Sequence, residues 1–113
     1  FQGISQSQFD DLCETENETL TSLFIASSSK LQNIDKIEKL KCLESLYIGD
    51  SHITDITPAL SLKYLRRLGI RSLQIPDFSV VKSFKALTAL TVDKEQETII
   101  AELYGGTFPF KAY

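Results

Sequence analysis

Apolar residues return along this chain in a fixed order: Leu20, Leu23 and Ile25, then Leu43, Leu46 and Ile48, then Leu65, Leu68 and Ile70, then Leu87, Leu90 and Val92. The groups start 23, 22 and 22 residues apart, and each reads L-x-x-L-x-[IV]. Within a unit the pattern changes element. In "LESLYIGDSHITDI", Leu46 and Ile48 have the two-residue step of a strand, but the next apolar positions are Ile53 and Ile56, a spacing no strand or continuous helix keeps. The second half repeats as well, with Leu31, Ile53 and Ile75 followed three residues later by Ile34, Ile56 and Phe78. Asp35, Thr57 and Ser79 come next, where a side-chain oxygen can accept from the free amides of a first helical turn. Pro58 stands where a first helical position tolerates a missing N–H. Each unit therefore predicts a short strand, a turn and a short helical return.

One such unit cannot bury its apolar row, whereas stacked copies join the rows into a continuous core. The expected fold class is α/β: a short solenoid with parallel strands on a concave face, helical returns on the convex side and a helical cap at each end. The period and layout resemble the leucine-rich-repeat family, and "ITDITPALSLKYL" is most similar to its short bacterial, internalin-type repeats. The resemblance spans Leu20 to about Val92. That family usually places an asparagine two residues before the turn leucine, where its side chain satisfies buried backbone. Here those positions hold Ser29, Ser51 and Leu73. Hydroxyls can supply part of that role and Leu73 cannot, so the third turn is expected to be irregular or loosely held.

The expected organisation is a tag remnant at 1–3, an N-terminal cap at 4–19, repeats at 20–42, 43–64 and 65–86, and a final strand with a capping helix at 87–113. Ser5 with Gln8 has capping-box spacing and Ile4 with Phe9 staple spacing. Phe9, Leu12 and Cys13 share a helical face. Asp93 with Gln96 opens a second helix carrying Ile99, Ile100 and Leu103, and Gly105-Gly106 ends it. The array is expected to be closed at both ends. Phe-Gln-Gly at the start has the form of a cleaved purification tag and is set aside.

Composition removes several function classes. The net charge of −3, with basic residues scattered except at Arg66, Arg67 and Arg71, argues against nucleic acid, whose non-specific affinity comes from phosphate neutralisation. No apolar run approaches the roughly 18 residues of a membrane span. Cys13 and Cys42 are too few for a disulfide framework and lack CxxC spacing. No phosphate loop, metal-ligand cluster or nucleophile motif is present, so no cofactor and no enzymatic activity are expected. His52, the single histidine, reads as a solvated turn residue, and Asp50, His52 and Asp55 as ordinary polar turn positions rather than metal ligands.

The outward strand positions carry more signal, because equivalent residues of neighbouring parallel strands form ladders about 4.8 Å apart. One ladder reads Phe24, Tyr47, Gly69, Thr91, and the flanking ones bring in Glu44, Arg66, Arg67, Arg71 and, next to Gly49, Asp50. Aromatic and arginine residues are the types enriched in protein-binding hot spots. The expected function is a non-enzymatic module that binds another protein through Phe24, Glu44, Tyr47, Asp50, Arg66, Arg67 and Arg71. A cytoplasmic immunity protein that neutralises a toxic enzyme is one form of this reading, and a terminal segment of a larger bacterial surface or receptor array another. A monomer is the expected state. Four strands span only about 15 Å, so a full interface must also engage the turns holding Asp50, Ser51, His52, Ser72 and Gln74.

Overall fold

The computed structural model describes residues 3–111. Helix α1 (Gln6–Thr15) precedes strands β1 (Ser22–Phe24), β2 (Ser45–Tyr47), β3 (Arg67–Gly69) and β4 (Ala89–Thr91), and helix α2 (Lys94–Leu103) follows. The strands form one parallel sheet in sequence order, and Leu23, Leu46, Leu68 and Leu90 are partners in register. Between strands the chain returns through short helices at Asp35–Lys39, Thr57–Ser61 and Phe78–Ser83. This is the small α/β solenoid that the 22-residue period predicts.

A repeated bulge explains the three-residue step that opens each unit. The carbonyl of Thr21 accepts both Glu44 N and Ser45 N, that of Glu44 accepts Arg66 N and Arg67 N, and that of Arg66 accepts Thr88 N and Ala89 N. Two residues oppose one at each step, so alternation is interrupted. Glu44 and Ser45, and again Arg66 and Arg67, stay outside between leucines that are at most 1% exposed.

The returns are 3₁₀ rather than α-helical, and the apolar spacing accounts for it. From each turn to the next strand the inward residues step by three: Leu31, Ile34, Ile37, Leu40, Leu43, Leu46 in the first unit and Ile53, Ile56, Ala59, Leu62, Leu65, Leu68 in the second, all at most 5% exposed. Three residues per turn is the 3₁₀ repeat, whereas an α-helix would rotate such a row off the core. The third unit keeps the step, with Phe78 only partly buried.

The caps of these returns lie two residues earlier than the sequence reading places them. Asn33 Oδ1 accepts from Asp35 N at 3.1 Å, Asp55 Oδ1 from Thr57 N at 2.9 Å and Asp77 Oδ1 from Ser79 N at 2.9 Å. Asp35, Thr57 and Ser79 are the residues whose amides are capped. The acceptors recur every 22 residues and form Asx turns, in which a short side chain takes an amide two positions on.

The turns after the strands correct a second expectation. Ser51 acts as anticipated: its hydroxyl donates to the Ile48 carbonyl at 3.0 Å and accepts from Ile53 N at 3.4 Å. In the first unit the serine that turns inward is Ser28, fully buried, while Ser29 is exposed. Ser28 Oγ donates to the Ala26 carbonyl and accepts from Ile4 N. The third turn is not loosely held. Gln96 of α2 reaches back, its Nε2 donating to the carbonyls of Ile70 at 2.8 Å and Leu73 at 3.0 Å. Ile70 is the equivalent of Ile48, so a side chain from the following helix supplies the donor that Leu73 lacks.

Both long helices begin with capping boxes, Ser5 with Gln8 and Asp93 with Gln96. Phe9 and Cys13 of α1 and Ile100 of α2 are fully buried against the ends of the core, whereas Ile99 is 48% exposed. Gln6 ties α1 to the first return, its Oε1 accepting from Gln32 N and Asn33 N. Gly105 and Gly106 end α2 at positive φ, Gly106 N donating to the Ala101 carbonyl. The chain then comes back to the β4 edge, where Leu90 N donates to the Lys111 carbonyl and Lys111 pairs with Ala89, 22 residues before it. Phe1 and Gln2 of the tag-like start lie outside the described residues; Gly3 donates from its amide to the Ala26 carbonyl.

Candidate functional site

The concave face is built from the outward residues of the four strands. Phe24 and Tyr47 are register partners on β1 and β2, and their rings stack with centroids 4.5 Å apart and planes 10° from parallel. Phe24 is 58% exposed. On its other side Tyr47 lies over glycine. A methyl group at Gly69 would overlap the Tyr47 ring, and one at Gly49 would come within 2.7 Å of the Tyr47 hydroxyl and 2.8 Å of the Arg71 carbonyl. The two glycines let the ring lie down across β3, so Phe24 and Tyr47 form one continuous aromatic surface. Burial pushes the Tyr47 hydroxyl above the usual phenol range; the Asp50 charge adds to this and Arg71 opposes it.

The three arginines do not share one environment. Arg66 Nη2 lies 2.8 Å from Glu44 Oε1, and both side chains are about half exposed, so the pair contributes little stability but cancels both charges locally. Arg67 Nη1 donates to Ser45 Oγ at 3.5 Å, the outer limit of a hydrogen bond. Neither Arg67 nor Arg71 forms an ion pair with a described residue. Arg67, Gly69 and Arg71 alternate with the fully buried Leu68 and Ile70, so the two guanidinium groups stem from opposite ends of the strip that Tyr47 covers. Asp50 sits just beyond, at φ 57°, its amide donating to the Arg71 carbonyl.

That left-handed conformation recurs at Ser27, Asp50 and Ser72, with φ of 52°, 57° and 64°. It gives each strand the same sharp exit toward its turn. Beside these exits Ser51, His52, Ile53, Thr54, Ser72 and Gln74 line a shallow groove of about 370 Å³. Four of the rim residues expected from the sequence, Ser51, His52, Ser72 and Gln74, are therefore brought together.

Among the described residues no group of three or more His, Cys, Asp or Glu side chains is placed to hold a metal ion. No described helix is long and apolar enough to cross a membrane. Sequence reasoning missed the roles of Gly69, whose place within a strand is itself a signal of close approach, and of Gly49 just past the end of β2.

No protein-family model matches the chain, and no curated protein sequence matches it. Among solved structures, the crystal structure of internalin C2 from Listeria monocytogenes is similar, with a TM-score of 0.64 and 26% sequence identity. The match covers 74% of this chain and 36% of that one, so the chain spans about a third of its neighbour's length. With four parallel strands in register and a 22-residue period, the chain has an internalin-like leucine-rich-repeat fold.

Proposed function

We propose that this protein is a non-enzymatic binding module that engages another protein through the concave sheet and the adjoining turns. The observation that carries the reading is the Phe24–Tyr47 stack: Tyr47 leans over two glycines and Phe24, stacked on it, is left open to solvent. An aromatic step with arginines at its ends has the composition of a binding hot spot. The likeness to internalin C2 supports the same class at the level of the fold. Four strands offer a projected area of only about 200 to 300 Å², against about 800 Å² per partner in a standard interface. The groove at Ser51, His52, Ser72 and Gln74 supplies the additional contact.

The test is capture of the partner from the native host followed by calorimetry. Phe24→Ala and Arg67→Ala should each weaken binding by at least about 1 to 2 kcal/mol; Arg67→Ala should leave the urea midpoint unchanged, because its side chain is exposed, and Phe24→Ala should lower stability by about 1 kcal/mol, the worth of its stack on Tyr47. Wild-type affinity in both variants would shift the site to the convex side, where Leu60 and Tyr64 are exposed, or to the long helices. A finer form of the proposal is a cytoplasmic, monomeric inhibitor of a toxic enzyme, with which a net charge of −3 is consistent. It requires the captured partner to be an enzyme whose turnover falls when the module binds.

A further inference from the structure

We infer a second docking surface, independent of the concave sheet. The rim where the last returns run into their strands binds an acidic segment of a partner protein, with carboxylates against Lys63, Lys85 and Lys111 and an apolar side chain in the hollow beside them. Two residues before the leucine that opens each unit stand Glu18, Lys41, Lys63 and Lys85. Three lysines therefore occupy equivalent places in successive units, whose strands lie about 4.8 Å apart. Like charges on neighbouring rungs repel, and an anion laid across them removes that cost. Between Asp55 and Asp93 the one acidic residue is Asp77, and its carboxylate takes the Ser79 amide at the start of the return. The arginines of this stretch lie on the concave side, among Glu44, Asp50 and Asp93. Lys63, Lys85 and Lys111 are exposed and form no ion pair with a described residue. Lys82 joins them, its Nζ donating to the Leu103 carbonyl at the end of α2, 5.5 Å from the centre of the Tyr104 ring. Toward the first unit the sign changes, because Glu38 stands where Leu60 and Lys82 do and Glu18 where the lysines do.

Two adjoining hollows, of about 370 and 500 Å³, run along this rim. Lys63, Ser83 and Lys85 line the first with Leu62, Leu65 and Phe84, apolar side chains at most 8% exposed. Lys82, Lys85 and Lys111 line the second with Tyr104 and Phe110, and no described acidic residue lines either. Lysine stems are flexible, so their charges can follow carboxylates without a strict spacing, while the hollow selects for an apolar neighbour. A bilayer surface would meet protruding apolar residues, whereas these lie recessed. Four lysines are too few to hold nucleic acid, whose binding scales with the number of phosphates neutralised.

The probe is a capped heptapeptide with two glutamates at each end and leucine at its centre between serines, titrated into the isotope-labelled full chain and followed by backbone NMR. Saturable shifts are expected at Lys63, Phe84, Lys85 and Lys111, with Tyr47 and Gly69 of the concave face unmoved. Affinity should fall at least about tenfold when glutamine replaces the glutamates, or in the Lys63→Gln/Lys85→Gln/Lys111→Gln protein, and should weaken with added salt. It should fall at least about threefold when serine replaces the leucine. Absence of saturable shifts up to about 10 mM peptide, or equal binding of the glutamine or the serine peptide, overturns the proposal. So does inorganic phosphate giving the same shifts at the same concentration, which would leave only a small-anion site. Tighter binding to phosphatidylserine–phosphatidylcholine vesicles or to a short single-stranded oligonucleotide, lost in the same lysine variant, would assign the rim to lipid or nucleic acid instead and overturns it equally.

Discussion

Gln96 is the residue on which the C-terminal end of the molecule turns. It is 4% exposed, and its amide is fully used: Oε1 accepts from Asp93 N, while Nε2 donates to the carbonyls of Ile70 and Leu73. Gln96→Ala would leave the Leu73 carbonyl without its donor and open the capping box. A loss of about 2 to 4 kcal/mol in urea unfolding is expected. Gln96→Glu should be worse at neutral pH, since a carboxylate would face two carbonyls, and should recover in acid as protonation restores one donor. The two cysteines differ in the same local way. Burial, with Asp10 and Glu14 nearby, pushes the Cys13 thiol up to about 11. It therefore stays protonated at neutral pH, when the thiolate is the reactive form. Iodoacetamide should modify only Cys42 in the folded protein and both thiols in urea, as read by intact mass.

Each return depends on one Asx acceptor and one row of apolar side chains. Hydrogen bonds from the Thr57 side chain and amide hold the Asp55 carboxyl below the usual range, and the Ser79 amide and side chain do the same for Asp77. A depressed folded-state value means that the contribution is present above the unfolded value, near 3.9, and is lost as pH falls through the folded value. The urea midpoint should therefore decline in acid, and decline less in the Asp55→Asn/Asp77→Asn protein. Asn33 already plays the neutral version of this role in the first unit. For the apolar row, Leu68→Ala should cost about 2 to 5 kcal/mol, because Leu68 is fully buried between Leu46 and Leu90. A change under about 1 kcal/mol in urea unfolding would contradict the packing.

Elements of this kind were legible to different degrees. The strands, their register and the inward leucines follow directly from the 22-residue period, because a shared core forces equivalent residues to stack. The 3₁₀ character was written in the three-residue step, although the sequence reading predicts only a short helical return of no stated type. The caps were missed because Asp35, Thr57 and Ser79 are good cap types themselves, and only the regular spacing of Asn33, Asp55 and Asp77 marks the true acceptors. The aromatic step at Phe24 and Tyr47 was visible as a ladder. The ring's lean over Gly49 and Gly69 was not, since it depends on where space is left across the sheet.

At the scale of the whole molecule the solenoid is short enough to behave as one body. Its Cα radius of gyration is 13.3 Å, the value expected for a compact chain of this length. One cluster of buried residues runs from Ile4 to Ile100. Phe9→Ala and Ile100→Ala, at opposite ends, should therefore each lower hydrogen-exchange protection throughout the sheet rather than in the nearest unit alone.

The reach of Gln96 also sets a rule for how such an array can change length. The helix beginning at Asp93 is fitted to a turn that has no polar side chain of its own. Copying the 43–64 unit between residues 64 and 65 leaves that fit untouched, because the Leu73 turn still meets Gln96. Copying it between 86 and 87 would abandon the Ile70 and Leu73 carbonyls, and would set Gln96 against a turn whose Ile48 carbonyl Ser51 already serves. A one-unit duplication should fold at the first junction and fail at the second. In this lineage, growth and loss of repeats would then be confined to the interior, with the last unit and its helix inherited as a single piece.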